Sequence, residues 1–509
     1  MNCALAIQRG ANTTITLRIG INLGDVIIEG DDIYGDGVNV AARLEPLAEP
    51  GGICVAAIVN DSVGSRIGVK FRDGGEVHVK NIDRPVRIWK WHPTDSSGKV
   101  AGPDAPGESA RSPLPSLAVL PFQNMSGDAE QDYFADGMVE DITTALSRFK
   151  SFAVISRNSS FVYKGRAVDM RQVGRDLGVG YVLEGSVRRS GKQVRVSAQL
   201  IEASTGAHLW AEKFDGTLED IFDYQDRITE TVVGLIEPQI RTSEIERARR
   251  KRPESLDAYD LYLRAVPHVY GMDPNGYATA LELLGRAIAL DPGFALALAY
   301  AAWTHEKRLT LALPPLGRDD EAECMRLARA ALAAAPDDPI VLAIVGWLTT
   351  TISNDYDTGL AALRRALAAN PNNVVVLNLA GAANVVAGDL DEASTCHLRA
   401  FRLSPNAPDV FHSLSGVAQV QFLKGNFEAA IEWSLRSLAT FNEWPITYWT
   451  LVAAYAHLDR MAEATAALRK LLSIAPQTTL AYMQHLSWRY PERQATMIEG
   501  LRKAGLPAG

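Results

Sequence analysis

Residues 388–405, GDLDEASTCHLRAFRLSP, and residues 425–442, GNFEAAIEWSLRSLATFN, decide the fold of the C-terminal half of this chain. Each segment begins with a glycine that can end a preceding helix, continues with helical spacing of apolar residues, and closes on Pro405 or Asn442. Helical segments also close on prolines 292, 336, 371 and 476, so the closing positions are separated by 44, 35, 34, 37 and 34 residues. A helical unit that recurs at this interval predicts a stack of helix pairs.

This period, the small residues Ala393 and Ala430 at a helix crossing, and the turn glycines together resemble the tetratricopeptide (TPR) repeat. The resemblance implies that residues 253–509 form an α-solenoid of about six repeats, because single repeats cannot bury their apolar faces. It also implies a protein or peptide ligand in the groove that the first helix of each repeat lines. Polar positions expected to face that groove are Asn378, Asn384, Gln419, Gln421 and Tyr455. The alternative for any one of these amides is that it packs inside the array.

Residues 115–252 alternate strand and helix patterns and predict a small α/β domain. Two predicted strands are joined through Ser190 and Gly191, and a long amphipathic helix ends near Arg252 and Pro253. The runs 134–149 and 182–216 resemble the TolB-type N-terminal domain that often lies between bacterial cyclase domains and TPR arrays. This region shows no nucleophile–base pair and no metal-ligand spacing. We therefore expect a folded domain that relays signals between its neighbours and does not catalyse a reaction.

Residues 94–114, TDSSGKVAGPDAPGESARSPL, are rich in Ser, Gly, Pro and Ala. Such a composition cannot bury enough apolar surface to offset the entropy of ordering, which predicts a flexible linker. The linker separates the α/β domain from residues 1–93. In that first part, strand patterns are predicted at 17–28, 51–59, 70–80 and 84–91, and a helix is predicted from 38 to 48.

The segment 19–55, IGINLGDVIIEGDDIYGDGVNVAARLEPLAEPGGICV, resembles the C-terminal half of a class III adenylate/guanylate cyclase catalytic domain. The resemblance covers residues 15–91 and is most specific in GDDIYGDGVNVAARL, residues 30–44. It implies part of a ferredoxin-like fold and a reaction that joins the 3′-hydroxyl of ATP to its α-phosphate with release of pyrophosphate. In that family the site lies between two catalytic domains. One domain provides two metal-binding aspartates, and the other provides groups that stabilise the transition state and read the base.

By this resemblance, Asn39 and Arg43 match the transition-state pair, and their spacing of four residues places both on one helical face. Asp32 matches the base-reading position, where a carboxylate can accept from the amine of adenine and so favours ATP over GTP. Ile33 matches a position that touches the base through its main chain, and Lys80 is near the phosphate-contacting lysine. The alternative without a catalytic role is that Asn39 and Arg43 are ordinary surface residues of a helix and that Asp32 belongs to a turn.

The resemblance also implies Mg²⁺ or Mn²⁺, but the two metal-binding aspartates of the family belong to the half of the domain that is not matched. Asp25 and Asp36 do not correspond to them. We therefore expect no metal site in this chain and no cyclase activity without a partner, with a heterodimer with a full-length cyclase as the way to complete the site. The alternative function is a non-catalytic TPR interaction protein that carries a cyclase remnant.

Composition limits the partners, the cysteine chemistry and the cellular location that the sequence predicts. Hydrophobic residues make up 47% and charged residues 22%, and the net charge is −9, so no nucleic-acid or membrane-surface partner is predicted. The four cysteines show no CxxC spacing, which argues against a disulfide framework or a zinc site. The basic run 247–252 is expected to be a solvated helix end. No apolar stretch of about 20 residues and no signal-peptide pattern is present, so the predicted location is the cytoplasm.

Overall fold

The computed structural model describes residues 4, 17–22, 27–29, 32–34, 36–63, 71–77, 86–92, 114–126, 130–166, 168–190, 193–217, 221–271, 274–314, 316 and 319–509. Within these ranges the description covers the backbone alone for residues 27–29, 32–34, 36–39, 61–63, 76, 130, 131, 158, 221–223, 254 and 274. The chain divides into two compact units, Met1–Gly107 and Glu108–Gly509, each of which is described by itself.

The first unit is built on a four-stranded sheet with strand order β1-β4-β6-β5. Strand β1 pairs parallel with β4, whereas β4 with β6 and β6 with β5 pair antiparallel. A separate antiparallel hairpin consists of β2 and β3. In chain order the described elements are β1 (Ile19–Ile21), β2 (Ile27–Glu29), β3 (Asp32–Tyr34), α1 (Asp36–Leu44), β4 (Ile53–Ala56), α2 (Ala57–Val63), β5 (Arg72–Val77) and β6 (Val86–Trp91).

Alternating side chains of β4 place apolar residues on both faces of this sheet. Ile53 and Val55 pack with Trp91 on one face, whereas Cys54 packs with Leu44 of α1 on the other. Both faces are therefore covered, and all four residues of β4 are buried. The sequence pattern predicted a strand over 51–59, but the strand ends at Ala56 and α2 begins at the next residue. The prediction was wrong there because a short apolar run fits either element.

The second unit begins with a six-stranded sheet of order β12-β11-β10-β7-β9, with β8 beside β10. Strand β7 is parallel to β9 and β10, and β10, β11 and β12 form antiparallel hairpins. Ser190 pairs with Gln193, so the two predicted strands pair antiparallel, and Gly191 lies outside the described residues. The elements are β7 (Ser116–Val119), β8 (Gln123–Asn124), α3 (Glu130–Leu146), β9 (Ala153–Val154), α4 (Arg157–Ser160), α5 (Met170–Leu177), β10 (Tyr181–Ser190), β11 (Gln193–Glu202), β12 (Ala207–Thr217) and α6 (Ile221–Arg250).

Helices cover both faces of this second sheet. Met138 of α3 and Val232 of α6 pack with Leu183 of β10 on one face. On the other face, Val173 of α5 packs with Val182 of β10. The result is the α/β layered domain that the sequence predicted.

The rest of the second unit is a helical array that confirms the predicted solenoid. Each of the first six helix pairs ends just before residue 292, 336, 371, 405, 442 or 476. Ala393 and Ala430 are fully buried, and Gly388 and Gly425 have positive φ in the turns, as their positions predicted. The helices are α7 (Ala258–Tyr270), α8 (Pro274–Leu290), α9 (Ala295–Thr310), α10 (Asp320–Ala334), α11 (Pro339–Thr351), α12 (Tyr356–Ala369), α13 (Val374–Ala387), α14 (Leu390–Leu403), α15 (Phe411–Leu423), α16 (Phe427–Thr440), α17 (Pro445–His457), α18 (Met461–Ile474), α19 (Leu480–His485) and α20 (Pro491–Lys503).

Helix α6 joins the α/β domain to the helical array. Its Val232 belongs to the core of the α/β domain, and its Ala248 belongs to the core of the array. Ser404 Oγ donates a hydrogen bond to the carbonyl oxygen of Gly234 at 2.7 Å, so the middle of α6 lies directly against the end of α14. The two parts of the second unit therefore share one long helix.

The basic run at the end of α6 ends the helix as predicted, but it is not simply solvated. Lys251 Nζ lies 2.5 Å from Oδ2 of Asp260, whose side chain is fully buried. Arg247 pairs with Glu244 at 2.6 Å and approaches the same Asp260 carboxylate at 3.8 Å. These cations neutralise a buried charge, which is the condition under which a carboxylate is tolerated inside a protein.

Candidate functional site

The hairpin of β2 and β3 leads directly into α1. Ile28 pairs with Ile33 and Glu29 pairs with Asp32 in the hairpin, and α1 begins two residues after Tyr34. The predicted base-reading positions, Asp32 and Ile33, thus lie on a strand immediately before the helix that carries the predicted transition-state pair. Their side chains lie outside the described part of the structure, and so does the whole of Lys80.

Helix α1 places positions 39 and 43 beside its buried row. Leu44 is fully buried and Val40 packs beside it against the sheet, so the row at positions 40 and 44 fixes the rotation of the helix. Positions 39 and 43 form the neighbouring row, and Arg43 is half-buried in the last turn. The side chain of Asn39 lies outside the description. A planar guanidinium at the edge of a buried surface is suited to clamp a phosphate.

Gly20 of β1 explains how closely α1 approaches the sheet. A Cβ atom added there would collide with the carbonyl oxygen of Ala41 and with the amide nitrogen of Glu45. A glycine in a strand often marks such a close backbone approach. The distance between α1 and the sheet, and with it the position of Arg43, therefore depends on this glycine.

Cysteine chemistry does not contribute to this site. The described cysteines, Cys54, Cys324 and Cys396, are free and buried. Burial raises the pKa of Cys54 to about 11 and that of Cys396 to about 12, and it raises the pKa of Cys324 as well. These thiols stay protonated near neutral pH and are poor nucleophiles.

The described part of the structure contains few candidate metal donors that lie close together. Among the described residues, no group of three or more His, Cys, Asp or Glu side chains is positioned to hold a metal ion. Asp25 lies outside the description, as does the side chain of Asp36.

The second candidate surface is the groove lined by the first helices of the repeats. Gln419 lines it, and the amide oxygen of Asn378 accepts a hydrogen bond from Ser413 Oγ at 2.9 Å. The predictions for Asn384 and Tyr455 were wrong, because both side chains are buried. Asn384 Nδ2 donates to the carbonyl oxygen of Ala380 within its own helix, so its amide is not offered to a ligand.

The C-terminal segment bridges this groove, a feature that the repeat pattern did not predict. Gln477 Nε2 donates to the carbonyl oxygen of Leu311 at 2.7 Å, and Tyr356 Oη lies 2.7 Å from Ser487 Oγ. Arg489 donates from Nη1 to Asp357 at 3.0 Å and from its backbone amide to Val386 at 3.0 Å. A cavity of about 360 Å³ remains inside. A sequence signal was available, since five of the nine tryptophans of the chain line it: Trp303, Trp347, Trp444, Trp449 and Trp488.

No helix among the residues described is both long enough and apolar enough to cross a bilayer.

Comparison with known families assigns three parts of the chain. Residues 2–91 match the adenylate and guanylate cyclase catalytic domain, and residues 446–478 match the tetratricopeptide repeat. Residues 113–231 match the second domain of HilA/YgeH-like transcriptional regulators. The chain therefore carries a cyclase-family segment at its N-terminus and TPR repeats in its C-terminal half, in line with the sequence resemblance.

The chain is also similar to individual proteins and solved structures. A Rhizobium meliloti (strain 1021) protein named "Putative adenylate cyclase 3" is 45% identical over 311 residues, which are 59% of this chain and 52% of that protein. This chain thus spans about half the length of that curated relative. An adenylate/guanylate cyclase/hydrolase structure from Silicibacter pomeroyi is 48% identical and covers 18% of this chain and 58% of its own, with a TM-score of 0.17. TolB from Acinetobacter baumannii is 19% identical, covers 25% of this chain and 29% of its own, and has a TM-score of 0.19.

Proposed function

We propose that residues 1–93 supply the transition-state half of a class III adenylate cyclase site, which converts ATP to cyclic AMP and pyrophosphate. The observation that supports this proposal is the arrangement of the matched segment. A hairpin with Asp32 and Ile33 leads into α1, where positions 39 and 43 share a face beside the buried row. A second catalytic domain, in a full-length cyclase, is proposed to provide the metal-binding aspartates.

Each matched residue has a proposed role. Arg43 would stabilise the charge that develops on the α-phosphate, since a preorganised cation is most effective where charge appears in the transition state. Asn39 would orient the ribose, because an amide can donate and accept at once. Asp32 would accept from the amine of adenine, Ile33 would contact the base through its main chain, and Lys80 would contact phosphate.

Mg²⁺ or Mn²⁺, when bound by the partner domain, would activate the 3′-hydroxyl and neutralise the triphosphate. The residues of this chain would bind and orient the nucleotide at the same interface. This arrangement follows the family pattern, in which two domains each provide half of the residues of one site.

The remaining segments complete the proposal. Residues 94–114 would act as a linker, residues 115–252 as a relay domain, and residues 253–509 as the TPR module that receives a protein partner or other signal. The shared helix α6 supports a relay role, since it belongs to the cores of both the α/β domain and the array.

A complementation assay tests the cyclase proposal. The donor is a full-length class III cyclase whose own transition-state arginine has been changed to Ala, so that it provides only the metal-binding aspartates. We expect residues 1–509 alone, with ATP and Mg²⁺ or Mn²⁺, to make no cyclic AMP above background, and the mixture with the donor to regain activity. Arg43→Ala should lower the regained activity by about 10²–10³-fold. The control is Arg72→Ala, which removes an exposed arginine of the same unit and should leave it unchanged.

Two outcomes decide against the proposal. Robust cyclic AMP production by residues 1–509 alone would contradict the division between two domains. Failure of the mixture, although both proteins are folded and associate, would favour the alternative of a non-catalytic TPR interaction protein.

A further inference from the structure

The cavity inside the helical array has the size and walls of a small-molecule site. Its volume of about 360 Å³ lies within the range of about 300–1,000 Å³ that is usual for ligand pockets. Helices α9, α11, α13, α15 and α17 contribute most of its walls, Tyr270 of α7 and His397 of α14 also line it, and the segment around α19 and α20 bridges it. Five tryptophan side chains contribute to the lining, which suits a ligand with an apolar, ring-sized body.

Lys307 of α9 is a buried cation in this lining. Only 6% of the residue is exposed, and its ammonium lies 4.6 Å from the ring centroid of Trp303 and 5.3 Å from that of Trp444. In the described part of the chain, this ammonium has no carboxylate within 4 Å and forms no hydrogen bond. Aromatic faces compensate only part of the cost of burying an ammonium, so a bound anion would stabilise Lys307.

Burial lowers the pKa of Lys307 to about 8, and the charge of the neighbouring Glu306 favours the charged form of Lys307. Burial raises the pKa of Glu306, which favours its neutral form, and Thr310 Oγ1 donates to its carboxyl at 2.7 Å. Asp409 is engaged by Arg241 at 3.2 Å. Burial lowers the pKa of His412 to about 3 and that of His397 to about 4, so both imidazoles are neutral at pH 7. Among the described lining residues, Lys307 is the cation without a counterion.

Unpaired polar atoms are concentrated around the same cavity. Twelve buried side-chain nitrogen or oxygen atoms in the described residues have no hydrogen-bond partner, and five of them belong to cavity residues. Two of the five, Trp449 Nε1 and Tyr482 Oη, carry N–H or O–H donors. The others are His397 Nε2, His412 Nε2 and Asp409 Oδ1. Because buried polar groups are normally hydrogen-bonded, this concentration points to a ligand with polar atoms.

We propose that the cavity binds a small organic monoanion, a carboxylate on an apolar and largely aromatic body. Lys307 would form an ion pair with the carboxylate, the indoles of Trp303 and Trp444 would stack on the body, and Trp449 and Tyr482 would donate hydrogen bonds. A single cation in an apolar wall matches one negative charge better than a phosphate dianion. An extended peptide does not fit, because the contacts of Ser487 and Arg489 bridge the groove.

Calorimetric titration of the full chain with matched probes tests this site. Naphthalene-2-carboxylate is the charged aromatic probe, naphthalene-2-carboxamide is its neutral counterpart, and decanoate carries the same charge on an alkyl body. We expect the carboxylate to bind one molecule per chain and at least about tenfold more tightly than the amide, and more tightly than decanoate. Equal affinity for carboxylate and amide, or no binding of any probe to the folded protein, would overturn the proposal.

Variants of Lys307 test whether this residue causes the preference for the carboxylate over the amide. Lys307→Met keeps the length of the side chain and should reduce the preference for carboxylate over amide to less than about threefold while still binding the amide. Lys424→Met is the control, because its ammonium pairs with the exposed Asp391 outside the cavity. If Lys307→Met fails to fold, Lys307→Gln takes its place, and the probe comparison on the unmodified chain stands on its own. A charge preference that persists in the Lys307 variant would refute the site.

Discussion

Arg241 and Asp409 form an ion pair, with 3.2 Å between Nη2 and Oδ2, although 168 residues separate them in sequence. Arg241 lies on α6, the helix shared with the α/β domain, and Asp409 precedes α15 in the wall of the cavity. Glu237 lies 3.6 Å from the same guanidinium, which also faces the ring of Tyr270 at 5.8 Å. This buried cluster connects the α/β domain to the site proposed for a ligand.

The first prediction concerns that cluster. Arg241→Met should destabilise the second unit by about 3–5 kcal/mol, because it leaves the carboxylates of Glu237 and Asp409 buried without their cation. The double variant Arg241→Met with Asp409→Leu should regain part of that loss. Urea unfolding followed by circular dichroism measures the change. Arg249→Met, which removes an exposed pair with Glu246, is the control and should cost less than about 1 kcal/mol. Equal effects of Arg241→Met and Arg249→Met would contradict the prediction.

The second prediction compares two helical glycines. A Cβ atom at Gly234 would lie 2.7 Å from Cβ of Leu403, whereas a Cβ at Gly285 would meet nothing within 4 Å. Gly234→Ala should therefore destabilise the second unit by about 1–3 kcal/mol through overpacking between α6 and α14. Gly285→Ala should stabilise α8 by up to about 1 kcal/mol, because alanine is the better helix former. Thermal unfolding should show opposite shifts, and a shift of the same sign in both variants would refute the packing argument.

The sequence predicted the helical array well because its signals are local and repeated. Pro405 and Asn442 close helices where their spacing placed them, and Gly388 turns the chain with positive φ. The same local reading failed at Asn384 and Tyr455, whose exposure depends on how neighbouring repeats stack. Burial is decided by contacts that are distant in sequence, and a repeat pattern does not contain them.

The candidate sites were predictable to different degrees. The run around Asn39 and Arg43 is distinctive enough to indicate the cyclase segment, and the structure adds the hairpin that leads into α1. The cavity was not predicted, because it exists only after the segment around Ser487 and Arg489 has crossed the groove. Lys307 stands alone in the sequence, and its lack of a counterion appears only when its surroundings are assembled.

The third prediction concerns acid stability. Burial lowers the pKa of His397 to about 4, below its ordinary value of about 6.5, so the unfolded chain takes up a proton at a higher pH than the folded chain does. The stability contributed by the neutral imidazole is complete above pH 6.5 and is lost as the pH falls from about 6.5 to about 4, at about 1.4 kcal/mol per pH unit.

His397→Phe should reduce this slope by about one proton, as measured by urea unfolding at several pH values in that window. His208→Gln is the control, because His208 is exposed on β12. A slope that His397→Phe leaves unchanged would show that this imidazole is not the group that resists protonation.

The last prediction concerns the support of α1. Gly20→Val should push α1 away from the sheet, because the new side chain would collide with the backbone of Ala41 and Glu45. Arg43 would move with the helix, and a displacement of about 1 Å can cost about 10²-fold in rate. The complemented cyclase activity should therefore fall by at least about tenfold, measured as cyclic AMP formed in the mixture with the donor. Gly75→Asn is the control, since its position is open and asparagine tolerates the positive φ found there. Full activity in Gly20→Val would show that the rate does not depend on the position of α1, and it would contradict the role proposed for Arg43.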